Sequence, residues 1–378
     1  DINVKWVLDR NFSRIGEFPV PDEICTQDFR QVIRDPDCHC IVELIGGVET
    51  ARDFILEAIE NGKHVVTANK AVLSQYGPEI WRKARENRVY IGYEASVGGG
   101  IPVIKTVKEA LVGNDISMIV GIMNGTSNYN LSRMTQEGKT YASILADAQA
   151  LGYAEADPTF DVEGFDAAHK LTILAMLTFG TAFKGEDVYV EGITNVTPLD
   201  IDFARELGYH IKLLAIGKKK SHGVMLRVHP TMVPDNHLLA QVDGAYNAFY
   251  FVGDQVGKLI LFGMGAGRGP TASAVVSDIV DIARMQVVGA GMPVFHASGP
   301  DISLEHGQGL RKIPITSLES RYYLRFTAVD RPGVLSTISG VLGDNEISIE
   351  SVVQKGRGKM NAVPIVMLTH EAKEKNMR

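Results

Sequence analysis

Residues 62–93 read GKHVVTANKAVLSQYGPEIWRKARENRVYIGY, and this stretch decides the fold. Gly62-Lys63-His64 turns the chain into a short β-branched strand, Val65–Thr67. A helical segment, Gly77–Asn87, then leads to a second apolar strand, Val89–Tyr93. A strand, a helix and a strand of these lengths form a right-handed crossover between parallel strands. Working outward, Cys40–Leu44 is a strand closed by Gly46-Gly47, and a helix follows over Thr50–Asn61. Upstream, Asn3–Leu8 is an apolar strand ending in Asp9-Arg10. The first third is therefore expected to be a parallel α/β sheet. Ligands on such sheets sit beyond the carboxyl ends of the strands. That puts Arg10, Gly46, Gly47, Asn69, Lys70 and Glu94 on one rim.

A dinucleotide-binding sheet opens with a strand and a GxGxxG turn that offers backbone N–H groups to the pyrophosphate. Here the chain begins in what reads as the second strand. The expectation is a truncated chain carrying a Rossmann-like domain without its first strand and turn. Asp9 stands where a carboxylate would hold the ribose hydroxyls of NAD, and Arg10 where a guanidinium would grip the 2′-phosphate of NADP. The pair reads equally well as a surface ion pair.

From Asn114 the pattern changes. Ile116–Met123 is a strand ending in the polar turn Asn124-Gly125-Thr126-Ser127-Asn128, and a helix follows. Further strands are expected near Lys212–Gly217, Val224–Pro230, Ala248–Val252 and Gln255–Phe262, with Lys218, Lys219 and Lys220 as a solvated turn. This reads as an α+β domain with an open, largely antiparallel sheet. Inside it lies GYAEADPTFDVEGFDAAHK, Gly152–Lys170, in which five carboxylates lead into the apolar helix Asp166–Gly180. Asp166 and Lys170, four apart, share a helix face. The segment suits a pocket for a small cationic substrate, and equally an acidic surface loop with an ordinary salt bridge. The run Gly263–Gly269 opens a helix, and such a start can approach a phosphate or nicotinamide closely. Residues 297–320 read as linker. After them Tyr322–Val329, Val334–Asn345, Ile347–Gln354 and Ala362–Thr369 form a βαββ unit that stops before it is complete.

Composition bounds the rest. The chain has 378 residues, 45% of them hydrophobic, and a net charge of −7, which suits two or three globular domains. No basic stripe points to nucleic acid. No apolar run nears the roughly 18 residues that span a membrane, and nothing at the start reads as a signal peptide. The three cysteines, Cys25, Cys38 and Cys40, match no zinc spacing even with His39 among them, so reduced thiols in a cytoplasmic protein are expected.

Five segments together resemble the homoserine dehydrogenase family: GKHVVTANKAVLS (Gly62–Ser74), GYEASVGGGIPVIKT (Gly92–Thr106), GIMNGTSNY (Gly121–Tyr129), LGYAEADPTFDVEGFDAAHK (Leu151–Lys170) and GMGAGRGPTASAVVSD (Gly263–Asp278). They follow that family's order over most of residues 1–290. The tail, with AVDRPGVLSTISG (Ala328–Gly340), resembles an ACT domain, an amino-acid-binding regulatory module. The resemblance implies a nucleotide-binding domain at 1–101, to which the helix 267–290 returns. It also implies a substrate-binding and dimerisation domain at 102–266, and an incomplete ACT unit at 321–378.

It further implies interconversion of L-aspartate 4-semialdehyde and L-homoserine with NADP or NAD, in threonine, methionine and isoleucine biosynthesis. By family position Lys170 is the proton donor, Asp166 its orienting carboxylate, and Lys70 the lysine touching cofactor and substrate. Glu155 and Asp161 fit the substrate ammonium, while Asn124, Gly125, Thr126 and Tyr153 line the pocket. Arg10, Gly46, Gly47, Lys70 and Gly267 fall to the cofactor. Glu94, Val97, Gly99 and Ile101 match a site for Na+ or K+, and only oxygen ligands are on offer there. The turn Asp330-Arg331-Pro332-Gly333 implies an effector site, with threonine as the first candidate, and the assembly implied is a homodimer or tetramer.

Three rivals are weighed. Aspartate-semialdehyde dehydrogenase needs a catalytic cysteine for its thioester, and all three cysteines lie within residues 25–40, away from the acidic segment. An ACT-bearing hydroxy-acid dehydrogenase would place a His and an Arg at the substrate, and no such pair stands in these motifs. A non-catalytic amino-acid-binding regulator would follow from loss of the glycine-rich turn.

Overall fold

The structure, a computed structural model, describes residues 2–12, 20–150, 157–288, 309–354 and 362–378. Val7–Leu8 (β1) pairs in parallel with Cys25–Thr26 (β2). Cys40–Glu43 (β3), His64–Thr67 (β4) and Ile91–Gly92 (β5) form a separate parallel sheet in the order β3-β4-β5. The crossover unit is there, but the single sheet is split in two. The first strand is also two residues long rather than six. Among the described residues 3–6 find no ladder partner, and Trp6 Nε1 instead donates to Asp35 Oδ2 at 2.7 Å.

The helix of the crossover spans Lys70–Glu86, seven residues earlier at its start than the apolar pattern indicates. Asn69 caps it, its side-chain oxygen accepting from Val72 N at 3.2 Å. Pro78 lies inside this helix, where it removes one backbone hydrogen bond. The buried Val72, Leu73, Ile80 and Trp81 hold the helix against the sheet despite that loss.

The second sheet has six strands: Ile116–Ile122 (β6), Val188–Val190 (β7), Tyr209–Lys220 (β8), Gly223–Pro234 (β9), Tyr246–Gly253 (β10) and Gly257–Met264 (β11). Their order is β11-β10-β6-β8-β9-β7. Every pair is antiparallel except β7 with β9. The lysines 218–220, expected as a turn, are the last residues of β8. The turn falls at Ser221-His222, and Lys219 reaches Asp115 at 2.7 Å. One face of this sheet (Leu213, Ala215, Leu226, Val228) packs on Leu171 and Leu174 of the helix Phe165–Phe179. The same buried cluster runs on to Ile55, Ile80 and Trp81 beside the parallel sheet, so the two units share a core.

The helix Arg268–Val288 packs Ala274, Val275 and Ile282 against Val66 and Tyr90 of the parallel-sheet unit. Its Asp278 accepts from Glu94 N at 2.9 Å, and a Cβ on Gly92 would lie 2.6 Å from the Asp278 Cβ. Residues 309–320, expected as linker, are not free chain. Arg311 and Ile313 exchange backbone hydrogen bonds with Val224, and Glu319–Ser320 (β12) pairs with a strand near the C-terminus. Tyr323–Val329 (β13), the helix Val334–Asp344, Ile349–Gln354 (β14) and Ala362–Thr369 (β15) form the βαββ unit, order β13-β15-β14. Ala372–Lys373 (β16) is the partner of β12.

Candidate active site at the junction of the two sheets

The turn after β6 builds the site. Asn124 caps the helix Gly125–Glu137, its Oδ1 accepting from Ser127 N at 2.8 Å. Its Nδ2 then donates to Asp161 Oδ1 at 2.7 Å and to Asp166 Oδ2 at 2.8 Å. Thr126 Oγ1 donates to Asp161 Oδ2 at 3.0 Å, and Ser127 Oγ to the Asp161 carbonyl at 2.9 Å. Asp161 is thus committed to holding this turn. Gly125 is needed for closeness, because a Cβ there would sit 2.8 Å from the Ala245 carbonyl.

Asp166 stands on the first turn of the helix Phe165–Phe179 and Lys170 one turn later, 3% and 7% exposed. Lys170 Nζ donates to Asp166 Oδ2 at 2.8 Å and to the Met123 carbonyl at 2.7 Å. From the parallel-sheet side Lys70, the first residue of its helix, brings Nζ to 3.1 Å from Asp166 Oδ1. Burial pushes the Asp166 carboxyl up, but the Lys170 and Lys70 ammonium groups, with hydrogen bonds from Lys170 and Asn124, outweigh it. The carboxyl is held well below the usual carboxylate range. One ionised carboxylate therefore joins two lysines delivered by different sheets.

The rim beside Lys70 is glycine-lined. Asn69 Nδ2 donates to the Gly47 carbonyl at 2.9 Å, and Gly46 and Gly47 both have left-handed φ, 72° and 73°, with open space around them. Exposed backbone next to an ammonium group fits a dinucleotide. Gly267, at φ 118°, opens the helix Arg268–Val288. Arg10 is exposed and belongs to the separate β1-β2 sheet. Of the expected site residues, the structure brings together Lys70, Asn124, Gly125, Thr126, Asp161, Asp166 and Lys170. Tyr153 and Glu155 lie outside the described residues.

The loop 94–101 forms a third feature. The Glu94 carboxylate accepts from Ile104 N and Lys105 N, both at 2.8 Å, and burial pushes its carboxyl up to about 7. The carbonyls of Glu94 and Ile101 accept from Val97 N and Val103 N. Those of Val97 and Gly99 accept no hydrogen bond among the described residues. Against this loop lies Gly265, and against Gly265 the Asn247 amide, buried with neither polar atom partnered among the described residues. Unspent oxygens in a buried loop fit a hard cation.

Sequence reasoning passed over Ser127, which ties the turn to Asp161, and Glu43, which joins the ends of β3 and β4 by accepting from Thr67 Oγ1 at 2.6 Å. It also missed His169 beside Lys170. Its ring packs edge-on to Phe160 at 5.3 Å, its Nδ1 is buried without a partner among the described residues, and burial pushes its pKa down. His169 stood in the sequence inside GFDAAHK, and its position next to Lys170 was the available signal.

A rim of parallel strands facing a buried lysine on a second domain fits a nicotinamide-dependent oxidoreductase. Family models agree in all three parts: "Homoserine dehydrogenase, NAD binding domain" matches residues 1–94, "Homoserine dehydrogenase" 102–280 and "ACT domain" 322–377. The chain is 47% identical to the homoserine dehydrogenase of Pseudomonas aeruginosa over 354 residues, 93% of this chain and 81% of that protein. A solved homoserine dehydrogenase from Thiobacillus denitrificans superposes with TM-score 0.89 at 46% identity, covering 98% of this chain and 84% of that one. A hyperthermophilic archaeal homoserine dehydrogenase in complex with NADPH superposes with TM-score 0.61 at 28% identity, covering 72% and 78%. The chain belongs to the homoserine dehydrogenase family and carries an ACT domain.

Proposed function

We propose that this chain interconverts L-homoserine and L-aspartate 4-semialdehyde with NADP or NAD, on the route to threonine, methionine and isoleucine, in the cytoplasm. The observation that carries the reading is Lys170. Its ammonium is buried, two of its three N–H groups are spent on Asp166 and the Met123 carbonyl, and among the described residues nothing takes the third. The dinucleotide, when bound, supplies or accepts the hydride. Lys170 gives its remaining proton to the aldehyde oxygen as that becomes a hydroxyl, and takes it back in oxidation. Solvent restores the proton to Lys170. Asp166 holds the ammonium in position, and Lys70 meets substrate and cofactor from the other side. Asn124, Gly125, Thr126 and Tyr153 serve the substrate pocket and Glu155 the substrate ammonium, while Asp161, spent on Asn124 and Thr126, keeps the turn in place. Gly46, Gly47, Lys70, Gly267 and Arg10 serve the dinucleotide.

The oxygens of Glu94, Val97, Gly99 and Ile101 hold Na+ or K+, which fixes the loop between the two domains. The unspent Val97 and Gly99 carbonyls support this. The ACT unit answers to an amino acid, threonine first, and the enzyme works as a homodimer or tetramer. The test is a steady-state assay of homoserine oxidation by the full-length protein with NADP and with NAD, each with and without threonine. Turnover with at least one cofactor is expected, and none with either would overturn the reading. Inhibition by threonine is expected; indifference to it would remove threonine as the effector.

A further inference from the structure

We infer that a cavity between the ACT unit and the six-stranded sheet binds a small zwitterionic amino acid, with its carboxylate on Arg227 and its ammonium at Glu191. The cavity measures about 820 Å³. Its floor is the face of β7 and β9 turned away from the core. The register Tyr189↔Arg227 and Val190↔Val228 puts Tyr189, Glu191, Arg227 and His229 on that one face. Its roof is the ACT unit, through Tyr322, Tyr323 and Arg325.

Other arginines lining the cavity are paired: Arg325 with Asp200 at 2.6 Å and Arg321 with Glu350 at 3.2 Å. Arg227 is not. Its Nε donates to His229 Nε2 at 3.1 Å, one terminal nitrogen reaches Met225 Sδ at 3.7 Å, and no carboxylate pairs with it among the described residues. His229 offers no counter-charge. Burial pushes its imidazole down to about 4, and its Nδ1 lies 2.9 Å from the Pro230 carbonyl. A guanidinium has five N–H groups in a planar fork, so most of this fork is unspent. A planar anion that accepts two of them, a carboxylate, is its natural partner.

Glu191 decides the second half of the ligand. It is exposed on the same face, and among the described residues its side chain is partnered by the Tyr189 hydroxyl at 3.0 Å. A simple anion on Arg227 would leave the Glu191 carboxylate on the same face without a cationic partner among the described residues. A ligand with an ammonium next to its carboxylate satisfies both groups. The cavity leaves room for the side chain and for bridging water.

The site has a short route to the chemistry. Arg325 and the Tyr323 hydroxyl both bind Asp200, which belongs to the capping box of the helix Pro198–Glu206. That helix packs on Gly125–Glu137, whose cap Asn124 holds Asp166. The proposal rests on the regulatory reading of the ACT unit, and the test separates the two.

Calorimetric titration of the full-length protein with L-threonine, L-isoleucine, L-methionine and L-lysine is compared with 3-hydroxybutyrate, which lacks the ammonium, and with inorganic phosphate. One of the amino acids should bind. Arg227→Gln, Arg227→Lys and Glu191→Gln should each weaken it about tenfold or more, while Arg331→Ala in the Asp330–Gly333 turn should not. If Arg227→Gln fails to fold, Arg227→Lys and Glu191→Gln carry the result, checked by their melting curves. Binding lost in Arg331→Ala but kept in the Arg227 and Glu191 variants would overturn the cavity site and leave the regulatory reading standing. No amino-acid binding to an active enzyme would overturn both. Phosphate or 3-hydroxybutyrate binding through Arg227 as tightly as any amino acid would overturn the ligand's class.

Discussion

Asp166 shows how one carboxylate organises the residues around it. Lys70 and Lys170 both bring an ammonium group to it, and without it they would face each other uncompensated. Asp166→Asn should therefore cost about 3–5 kcal/mol, read as a lower denaturation midpoint at neutral pH. The pH dependence follows from the sign of the shift. The native carboxyl titrates below the unfolded value of about 3.9, so its stabilisation is complete above that value and is lost as pH falls below it. The gap between wild type and Asp166→Asn should stay constant from neutral pH to about 5 and close below 4 in urea titrations. A gap already closing near pH 6 would contradict this. Lys170→Met should lower kcat by about 10²- to 10⁴-fold while folding is retained, because Asp166 keeps Lys70 and Asn124. A rate within a factor of a few of wild type would remove Lys170 as the proton donor. These two residues were legible in the sequence because a helix puts i and i+4 on one face. That Lys70 reaches the same carboxylate was not, since 96 positions of chain separate it from Asp166 and only folding joins them.

Among the elements, the helix Arg268–Val288 and the loop 94–101 depend on close approach. Gly92→Ala would force a Cβ to 2.6 Å from Asp278. It should destabilise by about 1–3 kcal/mol, measured by urea unfolding, and a neutral result would mean that the helix shifts without cost. The cation proposed for the loop has its own readout. Replacing Na+ and K+ by tetramethylammonium at constant ionic strength should lower the melting temperature, and equal melting would argue against an ion there. Element limits were legible in part. The strands of the parallel sheet stood out as short β-branched runs bounded by glycine and asparagine. The start of Lys70–Glu86 did not, because Gly77-Pro78 imitates a helix beginning. Burial of its apolar face overrides that local signal.

At the scale of the whole molecule, Tyr323 and Arg325 fasten the ACT unit to Asp200 on the helix Pro198–Glu206. Arg325→Met should loosen it, seen as faster hydrogen exchange in β13 and β15 with little change in β8 and β9. Uniform protection would show that the β12-β16 pairing alone suffices. The sequence by itself determined the kinds and order of most elements and the family, because hydrophobic period, turn chemistry and motif spacing are local properties of the chain; the short strands Cys25–Thr26 and Val188–Val190 and the helix Pro198–Glu206 carried too little of that signal. It also set the Asp166–Lys170 pair, which one helical turn dictates. Only the tertiary structure decided that the parallel strands divide into two sheets and that Asp161 is tied to the Asn124 turn. It alone brought Lys70 across from the other sheet, and left Arg227, among the described residues, without a counter-charge beneath the ACT unit. Those outcomes depend on which surfaces meet and which charges burial leaves unpaired, and no stretch of chain carries that information on its own.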